Sequence, residues 1–265
     1  MPGKVRLSSE GDGRVAVVTL SNSAKFNAMS RAMWRELAEV FARIQASCEW
    51  RCVLLQGEGA HFCAGGDIAE YPDFRFDVER LRAFHEQDVW GGLSAVLNCD
   101  VPIVAAIQGH CMGAGVEIAS CCDIRVAADG AKFGAPIAKL GFPMAPREAQ
   151  LVARVAGEMT AREMLLEAAV LDAPEMKSRG FLHRVLAADV LHAHALERAG
   201  RIAALAPGAA RMNKQTFRAL KMAPALDGQA QEAIQLIASR SYDYAPAAEH
   251  REGIAAFLDK RRPNF

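Results

Sequence analysis

The sequence predicts an α/β fold with parallel crossovers, and three observations carry that prediction. Short β-branched runs alternate with segments whose apolar residues recur at helical spacing. Two of those runs lead directly into glycine-rich loops. After Pro146 the alternation gives way to helical segments rich in Ala, Leu and Arg.

Residues 15–20 (VAVVTL) follow a Gly-Asp-Gly turn and read as an early strand. Ser30 is placed to cap a long helix in which Met33, Leu37, Val40 and Ile44 form one apolar stripe. Residues 53–55 are a short strand that ends at Gln56-Gly57, and the loop HFCAGGDI follows. Residues 78–97 return to helical spacing until Asp100-Val101-Pro102 breaks it. Residues 103–107 read as a buried strand, followed by HCMGAGVEIASCCD, whose later part is helical. Val126 and Phe133-Gly134 mark further short strands. No second α/β repeat is evident beyond Pro146, and Pro174, Pro207, Pro224 and Pro246 punctuate the helical stretch. The expected division is a core over residues 1–206 and a helical region over residues 207–265.

Composition limits what the chain can do. Its 265 residues, 51% hydrophobic, are enough to bury a sizeable core. Lys+Arg 31 against Asp+Glu 31 leaves no basic excess to attract nucleic acid or an anionic membrane. Seven cysteines at irregular spacing, with no CxxC pair, suit a reducing compartment and read neither as a disulfide framework nor as a metal site. The polar N-terminal stretch has no apolar core of a signal peptide, so the expected location is cytoplasmic.

The two glycine-rich loops are where chemistry is expected. At a strand-to-helix turn, glycine exposes backbone N–H groups, and the first turn of a helix leaves its own N–H groups unpaired at an electropositive end. Two such turns that converge on one oxygen make an oxyanion hole. Glu117 follows Gly113-Ala114-Gly115 in the first turn of the helix, close to whatever that hole holds. It is either a proton-transfer group or a carboxylate that merely complements the helix N-terminus. A dinucleotide site fails, because the third glycine position of GxGxxG is Ile118 and a spacer separates the loop from its strand.

The order and spacing of SAKFNAMS, HFCAGGDI, VPIVAAIQGHCMGAGVEIASCCDIRVAAD, FGAP and REGIAAFLDKRRPNF resemble the enoyl-CoA hydratase/isomerase (crotonase) superfamily over nearly the whole chain. That resemblance implies a spiral of ββα units with a C-terminal helical trimerisation region, hence a homotrimer or a hexamer built as a dimer of trimers. It implies an acyl-CoA thioester substrate, with coenzyme A as part of the substrate and no other cofactor, and a place in fatty acid metabolism. Gly66 and Ala114 correspond to the oxyanion donors, and Ala114 is acceptable there if its φ is negative. Lys25, Phe26, Ala64, Gly66 and Ile68 correspond to residues along coenzyme A, and Phe257 and Lys260 to residues that reach the nucleotide, often in a neighbouring subunit.

Glu117 corresponds to the first of two glutamates that hydratases of this family use on water. The second is absent, since Ile137 follows Pro136 where it would stand. Simple double-bond isomerases depend on that missing glutamate, and dienoyl isomerases on an Asp that would fall at Ala145. The leading expectation is therefore an enoyl-CoA hydratase in which Glu117 acts alone. The alternatives are an acyl-CoA hydrolase or decarboxylase of the same fold, or a catalytically weak acyl-CoA-binding subunit. Glu148 is the nearest spare carboxylate, expected as a surface residue at the start of the next helix. His110 and Cys111 are expected to line the acyl pocket or to pack.

Overall fold

The computed structural model describes residues 2–10, 12–222, 235–236 and 247–265. A six-stranded sheet forms its centre, in the order β1(Lys4–Glu10), β2(Val15–Ser21), β3(Cys52–Gly57), β4(Ile103–Ile107), β6(Ile124–Ala128) and β9(Arg184–Leu186). β1 and β2 pair antiparallel, and every later neighbour in this sheet pairs parallel. A smaller sheet joins β5(His110–Met112), β7(Lys132–Gly134) and β8(Val170–Asp172).

The central strands read as continuous apolar runs because both faces are covered. Ala16, Val18, Leu20, Val53, Leu55, Ile103, Ala105 and Ile107 point into the larger core. Their alternating neighbours Val15, Val17, Cys52, Leu54, Val104 and Ala106 point into a second core under α8(Ala188–Ala203). That helix presents Leu191, Ala195, Ala199 and Ala203, one residue every four, so small side chains let it lie close to the sheet.

On the opposite face, α1(Arg31–Ala46) buries Met33, Trp34, Leu37, Val40, Phe41 and Ile44. Ser30 caps it by accepting from the Met33 N–H at 3.2 Å. The predicted helix over 78–97 is α2(Val78–Ala83) and α3(Trp90–Asn98) joined by a π-helical turn at Phe84–Val89. Asp88 in that turn is buried and pairs with Arg31 at 2.8 Å and Arg35 at 2.7 Å on α1. Burial alone would raise the Asp88 carboxyl, but hydrogen bonds from Arg35 and Arg31 outweigh it and hold it below its ordinary range.

Between β5 and β6 lies α4(Ala114–Cys121), which is buried throughout. Its C-terminal end faces the buried guanidinium of Arg125, whose Nη1 donates to Cys122 O at 2.5 Å and whose Nε donates to Phe181 O at 2.6 Å. A cation at that end complements the helix dipole. After α4 come α5(Pro146–Ala156), α6(Glu158–Leu166) and α7(Ala173–Ser178). β8 and β9 add two short strands to the stretch after Pro146, which reads as helical segments in the sequence. Each is three residues long, too short to show a period against helical flanks. β1 is also absent from the sequence expectation, because five of its seven residues are exposed and it reads as a polar tail.

Helix α9(Pro207–Met222) docks through ion pairs, Lys214 to Asp123 at 2.7 Å and Arg218 to Asp100 at 2.6 Å. The last helix, α10(Ala248–Leu258), accepts the Gly208 N–H on Glu249. Among the described residues no helix is long and apolar enough to cross a membrane.

Arg125 supplies the first prediction. Arg125→Leu removes the donor for the Cys122 and Phe181 carbonyls and is expected to cost roughly 2–4 kcal/mol, as for other broken buried charge-assisted bonds. A urea unfolding midpoint unchanged from the parent would contradict it.

Candidate active site

Two loops build the site, and they are stitched edge to edge. The Phe62 N–H donates to Gln108 O at 2.7 Å, the Cys63 N–H to His110 O at 2.9 Å, and the Met112 N–H to Cys63 O at 2.9 Å. The approach is too tight for side chains. A Cβ on Gly115 would lie 2.6 Å from Cys63 O, and one on Gly66 would lie 2.2 Å from the Tyr71 hydroxyl. Gly113 takes φ 47°, so the left-handed residue precedes Ala114 rather than being Ala114. Ala114 is absent from the positive-φ residues, and an alanine sits there without strain.

Neither the Gly66 N–H nor the Ala114 N–H finds an acceptor among the described residues, and both residues line one cavity. Ala114 opens α4, so its free N–H also carries the positive end of the helix dipole. The first loop is held from behind by the SAKFNAMS segment. Met29 N–H donates to Gly65 O and Asp67 N–H to Met29 O, both at 2.8 Å. Asn27, fully buried at φ 61°, donates to Glu58 O and His61 O and accepts from the Asn22 N–H.

The cavity is about 370 Å³, the size that takes a small acyl group. Its apolar wall includes Trp34, Phe84, Val89, Met112 and Ile137. Glu117 faces into it from α4. Burial, and then the charge of Glu148, push the Glu117 carboxyl up to about 8. Glu148 corrects the surface expectation, being only 2% exposed and part of the same cavity wall. It does stand in the first turn of α5, but α5 packs on α4 and turns that position inward. Its Oε1 lies 3.2 Å from His85 Nδ1, contributed by the π-helical turn.

The remaining sequence-predicted residues divide into two groups. Phe26, Ala64 and Ile68 line the cavity with Gly66, and Phe26 and Ile68 are half exposed. Phe26 packs on His61 at 4.6 Å, and His61 stacks on His110 at 4.5 Å. His110 lines the cavity, whereas Cys111 is fully buried away from it. Lys25 precedes Phe26 without lining the cavity, and its Nζ is engaged by Asp67 at 2.6 Å. Lys260 is exposed, at φ 53°, and takes no part in the cavity wall. Phe257 lies on α10, and its side chain falls outside the described residues. Sequence reasoning missed the Asp67 brace and the His85–Glu148 contact, and no local pattern announces a contact between residues 63 positions apart.

The sequence profile of the enoyl-CoA hydratase/isomerase family matches residues 10–265. A probable enoyl-CoA hydratase of Mycobacterium tuberculosis is 32% identical over 257 residues, covering 97% of this chain and 96% of that protein. A mevalonyl-coenzyme A hydratase of Beauveria bassiana is 33% identical, covering 94% of this chain and 90% of that protein. Among solved structures, an enoyl-CoA hydratase/carnithine racemase from Magnetospirillum magneticum superposes with TM-score 0.90 at 36% identity, covering 98% of this chain and 94% of that one.

The burial of Glu117 has a consequence for stability. From about pH 4.5, its ordinary value, to about pH 8 the folded chain holds a proton that the unfolded chain releases, so this group's contribution falls as pH rises. Glu117→Gln removes that titration. The variant should become progressively more stable than the parent across this window and hold a constant advantage above it. Urea titrations at mildly acidic, neutral and alkaline pH test this, and a stability difference independent of pH would refute it.

Proposed function

Because the chain belongs to the enoyl-CoA hydratase/isomerase family, we propose that it is an enoyl-CoA hydratase, a carbon–oxygen lyase that adds water syn across a 2-enoyl-CoA. The observation that carries this reading is the pair of acceptor-free N–H groups, Gly66 and Ala114, opening into the cavity that Glu117 faces. The thioester carbonyl accepts from both N–H groups, and as water attacks the β-carbon the negative charge moves onto that oxygen. The donors are already aimed there, so no solvent has to reorganise as the enolate forms. Glu117 moves a proton as the water adds.

Coenzyme A belongs to the substrate in this reading, lying along Lys25, Phe26, Ala64, Gly66 and Ile68. The half-exposed Phe26 and Ile68 at the cavity rim support that placement. Phe257 and Lys260 reach the nucleotide of a neighbouring subunit, which agrees with Lys260 being exposed and apart from its own chain's cavity. The enzyme is cytoplasmic, takes part in fatty acid metabolism, and forms trimers through the region 207–265. Exposed Phe217, Leu220, Ile254 and Leu258 on α9 and α10 support an interface there. Sedimentation of the purified protein is expected to give a multiple of three protomers, and a monomer would remove this part of the reading.

Ile137 favours one second reading, in which the same hole serves thioester hydrolysis or decarboxylation, or merely binds an acyl-CoA. Turnover of crotonyl-CoA, followed by loss of the conjugated enoyl-thioester absorbance, separates these. Hydration is expected, and Glu117→Gln should lower kcat by roughly 10²–10⁴ with thioester binding retained, the range for a lost general acid or base. Full activity in that variant would exclude the mechanism. Release of free CoA without a β-hydroxy product would identify a hydrolase, carbon dioxide a decarboxylase, and tight binding without turnover a binding subunit.

A further inference from the structure

A carboxylate placed in an apolar cavity needs a reason, and the dipole of α5, which favours an acid in its first turn, does not require that acid to be buried. Glu148 is 2% exposed, although the first turn of a helix would normally show an acidic residue to water. It shares the cavity wall with Glu117, Ile137, Gly66 and Ala114. Glu117 is perturbed by the charge of Glu148, which places the two carboxyl groups within electrostatic reach of one another. The charged or titratable side chain in contact with Glu148 comes from a third element, His85 Nδ1 at 3.2 Å. His85 is in the π-helical turn Phe84–Val89, and that turn is fastened to α1 by Asp88 between Arg31 and Arg35. A buried carboxylate held between two partly exposed arginines fixes the wide turn that carries this imidazole, and π turns of this kind recur at functional sites.

We propose that Glu148, oriented by His85, is the second carboxylate of the reaction, supplied from the first turn of α5 in place of position 137. The proposal rests on the hydratase reading above. Glu148, as carboxylate, accepts a proton from the bound water while the water oxygen bonds to Cβ. The Cα=Cβ electrons move toward the thioester, giving an enolate whose oxygen is held by the Gly66 and Ala114 N–H groups. The Glu117 carboxyl, protonated at neutral pH, gives its proton to Cα as the carbonyl re-forms. The product has gained one H and one OH. Glu117 is left ionised and Glu148 protonated, and exchange with solvent restores both before the next cycle. Two carboxyl groups in one cavity can divide the labour of acid and base, one taking a proton and the other giving one. His85 is a positioning residue, since it touches Glu148 and acts through it.

The test compares the parent with Glu148→Gln and His85→Gln in crotonyl-CoA hydration, with kcat and its pH profile measured beside the Kd for a non-reactive saturated acyl-CoA. Glu148→Gln should lower kcat by about 10²–10⁴, leave Kd within threefold or so, and abolish the acidic limb of the kcat profile. His85→Gln should shift that limb with a smaller loss of rate. A Glu148→Gln enzyme within about threefold of the parent, or one whose loss appears only in Kd or leaves the acidic limb unchanged, overturns the proposal. An unmoved limb in His85→Gln removes His85 from it. Failure of the hydratase reading looks different, because the parent itself would then hydrate no 2-enoyl-CoA.

Discussion

Everything in the site depends on how closely the two glycine-rich loops approach. The hydrogen bonds of Cys63 to His110 and Met112 draw the loops into contact, and Gly115 is the residue that lets the first turn of α4 lie against Cys63 O. With any side chain at that point the turn would move outward, and the Ala114 N–H would move with it. The same approach leaves the Gly66 and Ala114 N–H groups facing one cavity with no acceptor among the described residues. Unpaired backbone donors in a folded interior are rare because they are expensive, and here the fold keeps two beside each other. In the proposed reaction the thioester oxygen accepts from both.

The rest of the structure can be understood as support for that arrangement. The SAKFNAMS segment turns Asn27 inward and fixes the first loop from behind. Arg125 stabilises the far end of α4, where its carbonyls would otherwise be buried without a partner, so the positive end of the helix stays at the hole. The parallel sheet between two apolar cores sets the separation of β3 and β4, and therefore where both loops begin. Stability is given up in return. A carboxyl on Glu117 pushed up to about 8 is a group the fold would be better off without, which is the usual trade at a site shaped for chemistry.

The apolar substitution at Ile137 and the buried Glu148 belong together physically. One wall of the cavity is apolar at Ile137, where the resemblance implies a glutamate, while another wall, four residues beyond the Met144 that also lines it, carries a buried one. A neutral partner at 137 keeps that wall dry, and a dry wall strengthens the interaction between the charges that remain.

Much of this was legible along the chain. The apolar stripe of α1, the capping Ser30, the strand at 103–107 and the two loops each follow from local periodicity and turn chemistry, because such signals depend on neighbours a few residues away. Motif order pointed to Gly66 and Ala114 as donors, and the glycine triplet placed Glu117 within the first turn of its helix, where it stands. The short strands β8 and β9 and the exposed first strand were not legible, since neither length nor burial gave them a pattern. The orientation of Glu148 was decided only by tertiary structure. A first-turn glutamate has the same local sequence whether it faces water or a cavity, and only the packing of α5 on α4 and the reach of His85 from 63 residues away choose between them.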